Sequence, residues 1–181
     1  MTSMETSTNE RATRAAVADA QTADDSGRRI VPEIDGVTVR AARTVVDSRG
    51  ELTELFATAW YESVEPVAHA YLVVAAPGSI RGWVVHDHQD DHLTYLSGRV
   101  RVVLYDARTG SPTEGVLAEH YFGSNNRCHL IIPAGVFHLV QNVGTEDALF
   151  TNHPSRPYRH DAPDKRRLPV DTDLIPYTVT R

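Results

Sequence analysis

At 181 residues, 41% hydrophobic and 23% charged, the chain has the size and balance of one soluble globular domain with its own core. A formal charge of −6 argues against a basic face that tracks phosphates and so against nucleic acid as a partner, while leaving room for a local basic pocket. One cysteine, Cys128, allows no internal disulfide. No apolar run is long enough to span a membrane, and the N-terminus lacks an apolar signal core, so the expected compartment is the cytoplasm.

Residues 1–29 are rich in Ala, Thr, Ser and charge and contain no large aliphatic side chain except Val17. Such a segment buries too little to offset its ordering entropy, and a disordered arm is expected, with a short helix over "ATRAAVADA" only if it docks. From residue 30 to 181 the texture is that of one domain. "GVTVRAARTVV", "AHAYLVVA", "SIRGWVVH", "HLTYLSG", "RVRVVLYDAR", "CHLIIP", "GVFHLVQNV" and "DALFTNH" are short, β-branched and partly alternating. Turn signals such as "APGS", "RTGSPTEG", "PAG" and "VGTED" separate them, which predicts an all-β antiparallel sandwich or barrel. Cys128 fits that pattern as a small buried residue. The tail after residue 152 shows no strand pattern and is expected to pack irregularly over the barrel through Tyr158, Leu168, Ile175 and Tyr177.

Three of the nine histidines fall within residues 86–92. Imidazole is both the commonest metal ligand and the side chain readiest to move protons near neutral pH. A second histidine-bearing stretch, "PAGVFHLVQN", fits the form P-x-G-x-x-H-x-x-x-N from Pro133 to Asn142, one of two signatures of the cupins, small jelly-roll β-barrels. The other signature, G-x5-H-x-H-x3–4-E-x6-G, lies without a gap on Gly78 to Gly98. It puts His86 at its second histidine, Asp91 at its glutamate and Val84 at its first histidine. His86, Asp91 and His138 then form a two-histidine, one-carboxylate set suited to Fe(II) or Zn²⁺. Without a metal the same residues line an organic pocket. A register using His86, His88, His92 and His138 breaks the glycine spacing, so His88 and His92 are expected in a solvent-facing turn.

"DSRGELTELF", "SIRGW", "SGRVRVVLYDARTGSPTEG", "LIIPAGVFH" and "PYRHDAPDKRRLPVDTDLIPY", in this order over residues 45–177, resemble the dTDP-4-dehydrorhamnose 3,5-epimerase family. The closer likeness is to a branch with a similar Pro-Tyr and Arg-Leu-Pro tail. The resemblance implies a cupin-type antiparallel jelly roll, a homodimer sharing strands, and a nucleotide-linked 4-keto sugar as substrate. It also implies substrate contacts by Arg49, Glu54 and Arg81, with Asn152 and Tyr158 bordering the pocket. An arginine suits phosphate, although Arg49 and Glu54 also read as a surface pair beside a turn.

The family takes a proton beside the ketone with a histidine in "R-G-x-H" and uses a tyrosine as acid on the opposite face. Here those positions are Val84 and Asn152. Residues 84 and 86 stand about 7 Å apart at ~3.3 Å rise per residue, so His86 cannot simply replace the missing base. The expectation is therefore an isomerase, epimerase or cyclase with altered catalytic residues, His86 and His138, that works without a cofactor. A metal-dependent oxygenase or lyase using His86, Asp91 and His138, and a non-catalytic metabolite binder, are the alternatives. Trp83, of opposite parity to Val84, belongs to the core or a dimer interface.

Overall fold

The computed structural model describes residues 8–27, 29–60 and 67–180, and the chain divides between Ile30 and Val31 into two units. In the first, Thr8–Ala15 form a helix, α1, and Ala23 pairs with Arg29 in an isolated bridge. Side chains 11–27 are all exposed. Helix-favouring Ala12, Arg14 and Ala15 account for α1, which begins earlier than the "ATRAAVADA" segment and forms without burying those side chains. Residues 1–7 and 28 of the expected arm lie outside the described residues.

Among the described residues of the second unit, the regular elements are β strands apart from one 3-10 turn at Thr58–Trp60. Its first strands are β1 (Thr38–Ala41), β2 (Thr44–Asp47), β3 (Gly50–Thr53) and β4 (Tyr71–Ala75). Then follow β5 (Ile80–Val85), β6 (Asp91–Ser97), β7 (Arg99–Asp106) and β8 (Leu117–Gly123). The last are β9 (Cys128–Ile132), β10 (Val136–Asn142), β11 (Ala148–Asn152) and β12 (Arg166–Arg167). They build two five-stranded antiparallel sheets, ordered β1-β9-β6-β11-β4 and β12-β5-β10-β7-β8, with β2 and β3 as a separate hairpin. Two opposed antiparallel sheets with these crossovers form the jelly roll.

The main core lies between the sheets, where Tyr95 stacks on Phe122 and meets Phe150 at a tilt, beside Val102, Leu104 and Leu130. Cys128 is buried there as well. Strand β7 shows why its sequence reads as continuously apolar. Val100, Val102 and Leu104 face this core, while Val103 faces a second cluster with Trp83, Leu139 and Ile175 on the other side of the sheet. The C-terminal tail covers that second cluster, with Leu168 and Tyr177 packed against it. Arg101 donates to the Thr180 carbonyl at 2.7 Å, and the Tyr177 hydroxyl donates to Glu119 at 2.6 Å. Two expectations for the tail are corrected. Arg166 and Arg167 form a strand on the free edge of β5, because backbone pairing requires no side-chain pattern. Tyr158 is no anchor: it is 49% exposed and stands edge-on to His160.

Part of the outer face of the first sheet, over β6 and β9, is also covered. His92 and His153 stack on Phe56 at 5.6 and 5.7 Å, while His129 meets Trp60 and shares a 2.8 Å hydrogen bond with Thr94. His92 is thus buried, not in a solvent-facing turn. Strand β6 begins one residue earlier, and its alternation sends Asp91 inward and His92 under Phe56.

In strict alternation Arg81 would share Trp83's face. The register prevents this: His138 pairs with Val84 and Val140 with Arg81, so between these pairs Gly82 and Trp83 of β5 oppose the single Leu139 of β10. The bulge turns Arg81 and Val84 to one face and Trp83 to the other. Gly82 allows it, with φ +153°, where an added Cβ would lie 2.7 Å from the Leu139 Cα. Gly82→Ala is expected to destabilise the domain by about 1–3 kcal/mol through backbone overpacking, measured by urea denaturation.

Burial pushes the imidazoles of His92, His129 and His153 down, His129 to about 4 from an ordinary 6.5. These groups stay neutral in the fold and take up protons once unfolded. Their contribution is complete above about pH 6.5 and is lost as pH falls toward 4. Denaturation midpoints should therefore drop between pH 6.5 and 5, before most carboxylates titrate, and His129→Gln should flatten that drop.

Candidate functional site

One end of the barrel holds a cavity of about 230 Å³, walled by strands from both sheets and by the start of β12. Its apolar wall includes Val84, Leu93 and Phe150; its polar side chains include Tyr71, Asp91, His138 and Asn152. Arg81, Lys165 and Arg167 also line it, which concentrates positive charge in a chain of net charge −6.

The floor is built around Asp91. His86 follows the end of β5, Asp91 opens β6, and His138 lies on β10 opposite Val84. His86 Nε2 and His138 Nε2 stand 3.5 and 3.4 Å from the same oxygen, Asp91 Oδ2. The other oxygen, Oδ1, accepts amide hydrogens from Gln89 at 2.7 Å and Asn152 at 2.9 Å. All five side chains are buried. His86 Nδ1 meets the Asp164 carbonyl, while the Asp164 carboxylate accepts the backbone N–H groups of Asp87 and His88 at 2.9 Å each. His138 Nδ1 reaches the Val136 carbonyl at 3.5 Å.

The loop between β5 and β6 is braced against the Pro-Ala-Gly turn. Gly135 N donates to the His86 carbonyl at 2.8 Å and Ala134 N to the Asp90 carboxylate at 2.9 Å. Ser155 closes the other side through the Asp90 backbone.

These contacts set the charges. Burial alone would raise the Asp91 carboxyl, but the His86 hydrogen bond, the positive charge of that imidazole and the Asn152 amide hold it well below the usual carboxylate range. Burial lowers His86, yet its bond to Asp91 and that carboxylate's charge outweigh this and leave it raised. Burial dominates at His138 and takes it down to about 4. The floor therefore favours a protonated His86, an ionised Asp91 and a neutral His138. Burial and the Asp91 charge raise the Tyr71 phenol, and burial with the neighbouring Arg167 lowers the Lys165 amine.

The structure brings His86, Asp91 and His138 together, and Arg81 and Asn152 line the adjoining cavity. It does not bring in Arg49, Glu54 or Tyr158. Arg49 is exposed and pairs with Asp47 at 2.5 Å in the β2–β3 turn. Glu54 is exposed just past β3, with its backbone N–H on the Arg43 carbonyl. His88 is exposed too, so the four-histidine register has no geometric basis. Sequence reasoning missed Tyr71, Gln89, Lys165 and Arg167. Gln89 stood in view beside Asp91; the other three arrive only through strand pairing across long chain separations.

A double-sheet jelly roll with two histidine-bearing segments meeting at one mouth defines a cupin. Residues 32–173 match the family model of dTDP-4-dehydrorhamnose 3,5-epimerase, and the chain belongs to that family. It is 36% identical over 142 residues to a probable low-salt glycan biosynthesis epimerase of Haloferax volcanii, covering 78% of this chain and 91% of that one. Identity to the spore coat polysaccharide biosynthesis protein SpsL of Bacillus subtilis is 33% over 142 residues, 78% and 93% of the two chains. Among solved structures, a dTDP sugar isomerase from Desulfovibrio desulfuricans superposes with TM-score 0.74 at 25% identity, over 80% of this chain and 91% of that one. The chain is thus an epimerase-like cupin enzyme, and Val84 and Asn152 both stand on its cavity wall.

Proposed function

We propose that this chain is an isomerase for a nucleotide-linked keto sugar or a related natural-product intermediate, moving a proton beside a carbonyl. The observation that carries this reading is the buried His86–Asp91–His138 floor opening into a cavity that also presents three cationic side chains. Neutral His138 is the base. Its Nε2 takes the carbon-bound proton, the C–H electron pair passes into an enolate, and ionised Asp91 stabilises the resulting imidazolium. His86, already protonated against Asp91, keeps that carboxylate charged. Arg81, Lys165 and Arg167 complement an anionic diphosphate or enolate. Val84 contributes only an apolar wall.

The working unit in this reading is a cytoplasmic homodimer of the domain from residue 30 onward. Val45, Val46 and Leu52 on the β2–β3 hairpin, and Leu72 and Val74 on edge strand β4, are exposed apolar side chains suited to cover by a second copy. Arg49 and Glu54 ride on or beside that hairpin, away from their own chain's cavity. Any contact they make with nucleotide belongs to a partner's site.

The test is incubation in D₂O with a panel of nucleotide-linked 4-keto sugars, followed by NMR. Deuterium should enter a carbon flanking the ketone in at least one member. The rate should fall by about 10²–10⁴ in His138→Asn and hold in His88→Ala. Binding without exchange would make the protein a metabolite binder, and exchange surviving in His138→Asn would remove the assigned base.

One observation favours a second reading. Both Nδ1 atoms face backbone carbonyls, so both Nε2 atoms point at Asp91 Oδ2, and the three atoms lie within 4.8 Å of one another. Separations of 3.4–3.5 Å approach the tetrahedral edge of about 3.4 Å expected for ligands ~2.1 Å from Zn²⁺. A divalent ion held there would supply Lewis acidity for lyase or oxygenase chemistry. Protein purified without chelator would then carry close to one Zn or Fe per chain by elemental analysis. His86→Ala would lose it along with the metal-dependent rise in melting temperature; a content far below one per chain defeats this reading.

A further inference from the structure

We propose that Tyr71 is the proton donor opposite His138, supplying from strand β4 the acid that the chain lacks at Asn152. This rests on the isomerase reading above.

The strand register makes the substitution geometrically natural. Tyr71 opens β4, and its Cα partner across the ladder is Asn152 of β11. Directly opposed residues on antiparallel strands project to the same face with Cβ atoms about 4.5–5.5 Å apart. A phenol from position 71 therefore enters the same cavity as a side chain from position 152, and both line it. Asn152 then becomes a clamp. Its Nδ2 donates to the Tyr71 hydroxyl oxygen at 2.9 Å and to Asp91 Oδ1 at 2.9 Å, tying the phenol to the charged floor.

That direction of donation matters. The hydroxyl oxygen is occupied as an acceptor, and among the described residues Asn152 is its one hydrogen-bond partner, so the phenolic hydrogen is left to point elsewhere. At 40% exposure Tyr71 is open enough to meet a ligand, while its oxygen remains fixed.

The opposed sheets complete the arrangement. His138 lies on β10 in one sheet and Tyr71 on β4 in the other, so the two reach the cavity from facing walls. A sugar ring held between them has its base on one face and its acid on the other. His138 removes the proton, leaving the electron pair in the enolate. That pair re-forms a C–H bond with the proton of Tyr71 on the far face, and the stereocentre inverts. The phenolate left behind keeps the Asn152 hydrogen bond, and solvent restores both groups. Asn152 acts as a positioning residue.

The experiment uses the full chain and whichever 4-keto sugar nucleotide of the panel undergoes exchange. Unmodified protein should give deuterium together with epimer. Tyr71→Phe should still place deuterium in the starting diastereomer, because His138 can return it to the same face, while epimer formation falls by about 100-fold or more. Asn152→Ala should lower the turnover rate with little change in KM, and its combination with Tyr71→Phe should cost no more than Tyr71→Phe alone. Unchanged epimer formation by Tyr71→Phe overturns the assignment of Tyr71 alone. Absence of exchange in unmodified protein overturns the isomerase reading with it. Should Tyr71→Phe melt well below the parent, Asn152→Ala carries the same decision through its loss of epimer against retained exchange.

Discussion

Asp91 is a carboxylate out of reach of water, and the organisation of the mouth follows from keeping it charged there. An isolated buried carboxylate would be neutralised, since desolvation costs more than an ordinary hydrogen bond returns. Three groups offset that cost: the Gln89 and Asn152 amides on one oxygen and the protonated His86 imidazole facing the other. Each is tied in turn to the frame, His86 through Asp164 and Asn152 to its strand neighbour Tyr71. A change at any of them leaves part of the charge uncompensated, which couples residues from separated stretches of the chain.

The same frame explains the shape of the cavity. The Gly82 bulge brings Arg81 and Val84 onto one wall, and the edge of β5 then pairs with β12, which carries Arg167 and Lys165 beside it to the rim. Positive charge thus collects at the mouth although the chain as a whole is acidic. Val84 puts an isopropyl group on the cavity wall directly across the β5–β10 ladder from His138, so the two side chains share a face.

Much of this was legible in one dimension. Two glycine-anchored spacings were enough to bring His86, Asp91 and His138 together, since the turns between short antiparallel strands fix which residues face the barrel interior. The strand texture and turn chemistry of residues 30–152 likewise led to the jelly roll. Arg81 lines the cavity although simple alternation would put it on the face of Trp83; the β5 bulge, which no local pattern announces, accounts for the difference.

What the sequence by itself determined is the class of barrel, its family and the three side chains on its floor, because local turn geometry and period-two alternation act over a few residues. The tertiary structure alone decided that His92 is buried under Phe56, that Arg166 and Arg167 become a strand, and that Tyr71, Lys165 and Arg167 join the cavity. Each of those outcomes depends on segments far apart in the chain meeting at a sheet edge or face. Tyr71 and Asn152, separated by 81 positions, hydrogen-bond because β4 pairs with β11 in one register, a fact written in no local pattern.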